Sequence, residues 1–200
     1  MKKTMIMLSL ALVSWGAYAQ HDHSKMDHSK NGDSNMESMM KQKSVVPSSI
    51  KFEHSVSVTP IIESYLTLKN ELVADNSAKA AKSGKMLFEA LAKYDYSTQS
   101  DSQKKELDEI IENAKEQAEH ISENKGNIDH QREHFEVLGT DIKDLIAFEG
   151  ADRTLYQIYC PMYDNNKGAM WLSASSEIKN PFFGSKMLSC GSVQHTIAVK

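Results

Sequence analysis

Seven metal-ligating side chains fall within one 20-residue stretch near the start of the chain: His21, His23, Met26, His28, Met36, Met39 and Met40. Thioether sulfur and imidazole nitrogen suit copper and silver ions. A thioether is not consumed by disulfide formation and binds without giving up a proton, so it stays available at acidic pH. A pliable chain can wrap such an ion in two- to four-coordinate geometry without a preformed cage. The plain alternative is a solvated linker in which these residues do no chemistry.

A second set lies near the other end. Cys160 and Met162 flank Pro161, so they alternate outward from a stiff, extended segment. Met187 and Cys190 are three apart, the spacing of a tight loop or one helical turn, and His195 follows. Two thiolates, two thioethers and an imidazole would make a soft-metal site. A disulfide between Cys160 and Cys190 is the competing reading, with Met162 and Met187 packing as ordinary apolar residues. Closing a loop of about 30 residues would contribute about 3–4 kcal/mol. An even pair of cysteines in an oxidising compartment reads first as a disulfide. Both readings ask the cysteines to converge. A disulfide needs Cα atoms about 4.4–6.8 Å apart, and a shared ion with thiolate bonds near ~2.3 Å needs the sulfurs equally close.

His130-Gln131-Arg132-Glu133-His134 has the H-x-x-E-H spacing that can put two histidines on zinc beside a glutamate base. A hydrolase needs a third, acidic ligand far downstream, and the glutamates that follow are Glu136, Glu149 and Glu177. The apolar positions Ile128 and Phe135 turn His130 and His134 toward solvent on this reading, and His54 and His120 carry no signal beyond polarity. No nucleophile elbow, phosphate-binding glycine loop or spaced carboxylate pair is present. Neighbouring acids such as Glu106, Asp108 and Glu109 read as a solvated helix face. The expectation is a non-catalytic protein without an organic cofactor.

These residues need elements to hold them. Lys2 and Lys3, the apolar run to Gly16 and Ala17-Tyr18-Ala19 form the three parts of a cleavable signal peptide, residues 1–19. The run is short of the ~20 residues a membrane span requires, so a periplasmic chain without stable membrane insertion is expected. Loss of Lys2 and Lys3 takes the net charge from −4 to −6, which argues against nucleic acid as a partner. Residues 20–49 lack aromatics and nearly lack branched aliphatics, too little to offset the entropy of ordering. From Pro60 apolar residues recur every three to four positions, giving helices over 60–75, 77–95, 101–124 and 127–149. Short connections imply an antiparallel up-down four-helix bundle. Beyond Asp152 the pattern turns aromatic and β-branched: a hairpin around Asp164–Gly168, turns at Asn180-Pro181 and Gly184, and a last strand near Val193–Val199. The fold class is therefore mainly α, with residues 50–200 forming a helical bundle domain closed by a small C-terminal β/loop cap.

Several motifs in this order carry a resemblance. Tyr65-Leu66-x-Leu68-Lys69-x-x-Leu72-Val73 and Gln131-Arg132-Glu133-His134-Phe135 lie in the helical part. Tyr159-Cys160-Pro161-Met162, Trp171-Leu172, Asn180-Pro181-Phe182-Phe183-Gly184 and Met187-Leu188-x-Cys190-Gly191 lie in the cap. Over about residues 60–197 the chain resembles the bacterial domain of unknown function 3347 family. That family occurs as stand-alone secreted proteins and at the C-termini of periplasmic adaptor subunits of heavy-metal efflux pumps. The family often has tyrosine where this chain has Phe182 or Phe183. Met26 to His28 also resembles the His/Met-rich segments of periplasmic copper- and silver-resistance proteins. The resemblance implies a metal-efflux setting, with Cu(I) or Ag(I) as the bound ion and adaptor or pump components as partners. The alternative is an interaction module docking on such a component, with Cys160–Cys190 as a structural staple.

Overall fold

Pro60 opens the first helix from a position where its missing N–H costs nothing, and helix α1 runs Thr59–Val73. Asn76 begins the next: its Oδ1 accepts the Lys79 N–H at 3.0 Å, and α2 spans Ser77–Ala92. Ser100 and Gln103 form a reciprocal capping box at the start of α3, Asp101–Glu123. Asn127 caps α4, Ile128–Glu149, and Gly150 ends it with φ of +86°. All four lie close to the expected ranges, because the apolar stripes that define them are the residues actually buried. Ile61, Tyr65, Leu68 and Leu72 of α1, Leu107, Ile111 and Ile121 of α3, and Phe135, Leu138, Ile142 and Leu145 of α4 share one core. Each helix packs on the next in sequence, and α4 also packs on a strand.

The computed structural model describes residues 48–200. The expected leader and the ligands His21, His23, Met26, His28, Met36, Met39 and Met40 lie outside the described residues. No helix among the described residues is long and apolar enough to cross a membrane.

The remaining chain forms a four-stranded sheet: β1 Ser48–Phe52, β2 Leu155–Cys160, β3 Ala169–Ser173 and β4 Ser192–Val199, in spatial order β1-β4-β2-β3. The expected hairpin is β2–β3, antiparallel, with Cys160 opposite Ala169. Its connection carries Asp164, Asn165 and Asn166 at positive φ, residue types that tolerate the left-handed region. The expected last strand is β4, antiparallel to β2. The sheet also holds a strand the sequence reading does not contain. β1 lies parallel to β4, from Ser48 opposite His195 to Phe52 opposite Val199.

The sheet is joined to the helices by aromatic contacts and a hydrogen bond. Tyr65 stacks on Phe135 at 5.1 Å between ring centroids, Phe135 meets Phe182, and Phe182 meets both Tyr163 and the fully buried Trp171. The Leu172 N–H of β3 donates to the Tyr65 hydroxyl at 3.1 Å. Gly139 of α4 lets β3 approach: a Cβ there would stand 3.1 Å from the Met170 carbonyl oxygen.

Candidate metal centres

Cys160 ends β2 and is fully buried in the apolar core, and Cys190 lies half-buried against the same core. Both thiols are free, and the Cys190 thiol lies close enough to the Cys160 side chain and the Met162 main-chain N–H for both to shift its titration. The two cysteine side chains are thus neighbours.

Local geometry explains it. Cys190 sits in a tight turn, its N–H donating to the Met187 carbonyl at 3.2 Å. Asn180, fully buried, holds that turn from behind. Its Nδ2 donates to the Cys190 carbonyl at 2.8 Å, while its Oδ1 accepts the N–H groups of Phe182 and Phe183 at 2.8 and 3.1 Å. The Asn180-Pro181 turn foreseen in the sequence therefore positions a sulfur.

Burial, followed by the Cys160 side chain, pushes the Cys190 thiol up to about 11, while the Met162 N–H pulls it down. The Cys190 thiol is protonated at neutral pH. A thiol of that acidity is a poor nucleophile, and a metal ion bound here must displace protons.

The other sequence-derived ligands are placed differently. Met162 is 49% exposed, on the surface beside the pair. Met187 is half-buried, one turn before Cys190. His195 lies on β4 opposite Gln157, and its Nδ1 is hydrogen-bonded to the Ser48 hydroxyl of β1. Its ring is engaged at the β1–β4 seam, and among the described residues no ligand cluster joins it to the cysteines.

A different set of histidines does come together. His120 of α3 and His130 and His134 of α4 each present one nitrogen, all within 4.8 Å of one another. The sequence reading faced His130 and His134 to solvent and found no signal in His120. The structure corrects this: all three are half-buried, with His120 stacked on His134 at 4.5 Å and 5°. The legible signal was the four-residue connection 124–127, which brings the end of α3 beside the start of α4. Reflection about that connection sets His120 against the 130–134 face.

The rest of the Gln131–Phe135 motif is buried and structural. Gln131 Nε2 donates to the carbonyls of Ser77 and Ile121 at 3.1 and 3.0 Å. Arg132 donates to the Leu72 carbonyl, the Pro181 carbonyl and Asp75 Oδ1 at 3.0, 2.8 and 2.6 Å. Hydrogen bonds from Ser185 and then Arg132 hold the Asp75 carboxyl down at about 2. Gly184 closes this network with φ of +54°, and a Cβ there would strike Asp75 and Arg132.

The model of the family described as "Protein of unknown function (DUF3347)" matches residues 61–154. The match takes in α1 to α4, both helical motifs and the three clustered histidines. β2 to β4 and both cysteines lie beyond it. No curated protein and no solved structure matches the chain.

Proposed function

From the premise that this chain belongs, through residues 61–154, to the DUF3347 family, we propose that it binds copper(I) or silver(I) outside the cytoplasm. It buffers the ion or hands it to a heavy-metal efflux pump, as a binding protein and not as an enzyme. The observation that carries this reading is the meeting of the Cys160 and Cys190 thiols. Two thiols on a rigid strand end and a braced turn suit a soft monovalent cation, whose binding releases their protons. The signal-peptide pattern at residues 1–19 supports an extracytoplasmic location. The His/Met stretch at 21–40 supplies further ligands of the same preference. For the scaffold we read an antiparallel up-down bundle, supported by the packing of each helix on its successor and by short connections.

Burial of Cys160 in the apolar core favours one other reading. A neutral disulfide is at home there and would staple the strand end to the loop, leaving the domain as a docking module for a pump component. Copper(I) competition against a chromophoric chelator separates the two, using the mature chain reduced under anaerobic conditions. Cys190→Ser is the variant of choice because its side chain is only half-buried. Loss of one equivalent of tightly held copper(I), with an unchanged circular dichroism spectrum, is the expected result. Unchanged stoichiometry would remove the thiol pair from the metal chemistry.

A further inference from the structure

The histidines at the α3–α4 junction carry an inference independent of the thiol pair. His130 and His134 are one helical turn apart on α4, so their rings project from the same face. The His130 Nδ1 is 2.9 Å from Glu133 Oε2, and the His134 Nδ1 is 2.8 Å from Gln117 Oε1. Both partners as placed are oxygen acceptors, so each Nδ1 carries its ring's proton. The two Nε2 atoms then hold lone pairs, and they face each other at 3.1 Å. Two acceptors in that position repel unless a proton or a cation lies between them. The Gln117 amide serves both states. Its oxygen supports an Nε2 ligand, and its nitrogen, after rotation, supports the other tautomer when no cation is present.

Distance makes the cation the better fit. Imidazole nitrogens lie about 2.0–2.1 Å from zinc, so two on one ion are about 2.9 Å apart at a right angle and about 3.3 Å apart at the tetrahedral angle. The observed 3.1 Å falls between. His120 supplies the third nitrogen from the opposite helix, within 4.8 Å of the others. Its half-exposed ring must tilt out of its stack on His134 to close the set. The Glu133 carboxylate behind His130 is the outer partner that orients a ligating histidine and raises its basicity.

We propose that His120, His130 and His134 form a second metal site, which takes a borderline divalent cation and clamps α3 to α4. Three neutral imidazoles with an outward opening suit zinc(II), nickel(II) or copper(II), with copper(II) held most tightly. The thiol pair is the softer site. The two sites divide by ligand type, so loss of one leaves the other intact.

Zinc(II) titration of the full mature chain tests this, with the histidines at 21, 23 and 28 kept in every variant so that they cancel in the comparison. Paired His130→Gln and His134→Gln substitutions are expected to remove one equivalent of bound zinc, and with it the zinc-dependent rise in melting temperature. Glu133→Gln should keep the equivalent but weaken it by about 10–100-fold. Cys190→Ser should bind zinc at the histidines as the wild type does. The substituted positions are partly exposed, and circular dichroism confirms folding of each variant. Unchanged zinc stoichiometry and an unchanged zinc-induced melting shift in the paired variant would overturn the proposal. So would full loss of the junction equivalent in Cys190→Ser, since the sites would then not be separate.

Discussion

Asp141 of α4 has one carboxylate oxygen, Oδ2, buried without a hydrogen-bond partner. Burial, and then the charge of Asp144, pushes its carboxyl up to about 6. Below the ordinary aspartate value of about 3.9, folded and unfolded chains both hold this proton. Between there and about 6 only the folded chain holds it, so the contribution to stability falls as pH rises and is lost above about 6. A shift of two units corresponds to about 3 kcal/mol, and partial exposure reduces this to about 1–2 kcal/mol. Asp141→Asn should therefore flatten the urea-unfolding free energy between pH 4 and 7 and stabilise the chain by that amount at pH 7. Parallel pH profiles for the two proteins would show that the carboxyl is not perturbed. The chemistry of the cysteines was readable from residue type alone, and their meeting followed from the turns that bound them. That of the histidines was not. The i, i+4 spacing of His130 and His134 was visible on α4, but His120 is an ordinary polar residue of α3, and only the packing of α4 on α3 brings its nitrogen within reach of the other two.

Among the elements, the four helices were legible because burial repeats the sequence stripes, and because Asn76, Ser100 and Asn127 stop and start them by local hydrogen bonds. β1 was not legible. Ser48–Phe52 is short and mostly exposed, and its extended state comes from pairing with β4, whose His195 stands opposite Ser48 across the whole intervening chain. Nor does periodicity reveal how the cap is fastened. Arg132 is 2% exposed and reaches from α4 to the end of α1 and to the Pro181 loop. Replacing it with methionine preserves bulk but leaves two main-chain carbonyls and Asp75 without their donor. Unpaired buried groups cost about 1–3 kcal/mol each, so Arg132→Met should destabilise the chain by about 3 kcal/mol or more in urea. The cap should also loosen first, seen as faster amide exchange in β2 and β3. A loss below about 1 kcal/mol with unchanged exchange would mean that the aromatic contacts alone hold the cap.

For the molecule as a whole, the two ligand sets sit in separate parts of the fold. The thiol pair belongs to the sheet end and the imidazoles to the α3–α4 junction. The central claim, that Cys160 and Cys190 serve a soft metal, is tested most directly on chain isolated from its producing cells without reductant. Its intact mass is read by native mass spectrometry, before and after thiol alkylation. The account predicts at least one bound copper or silver ion and no alkylation while the chain is folded, then two alkyl groups once the metal is chelated and the chain unfolded. A chain two hydrogens short of its reduced mass, metal-free and refractory to alkylation even when unfolded, would contradict it.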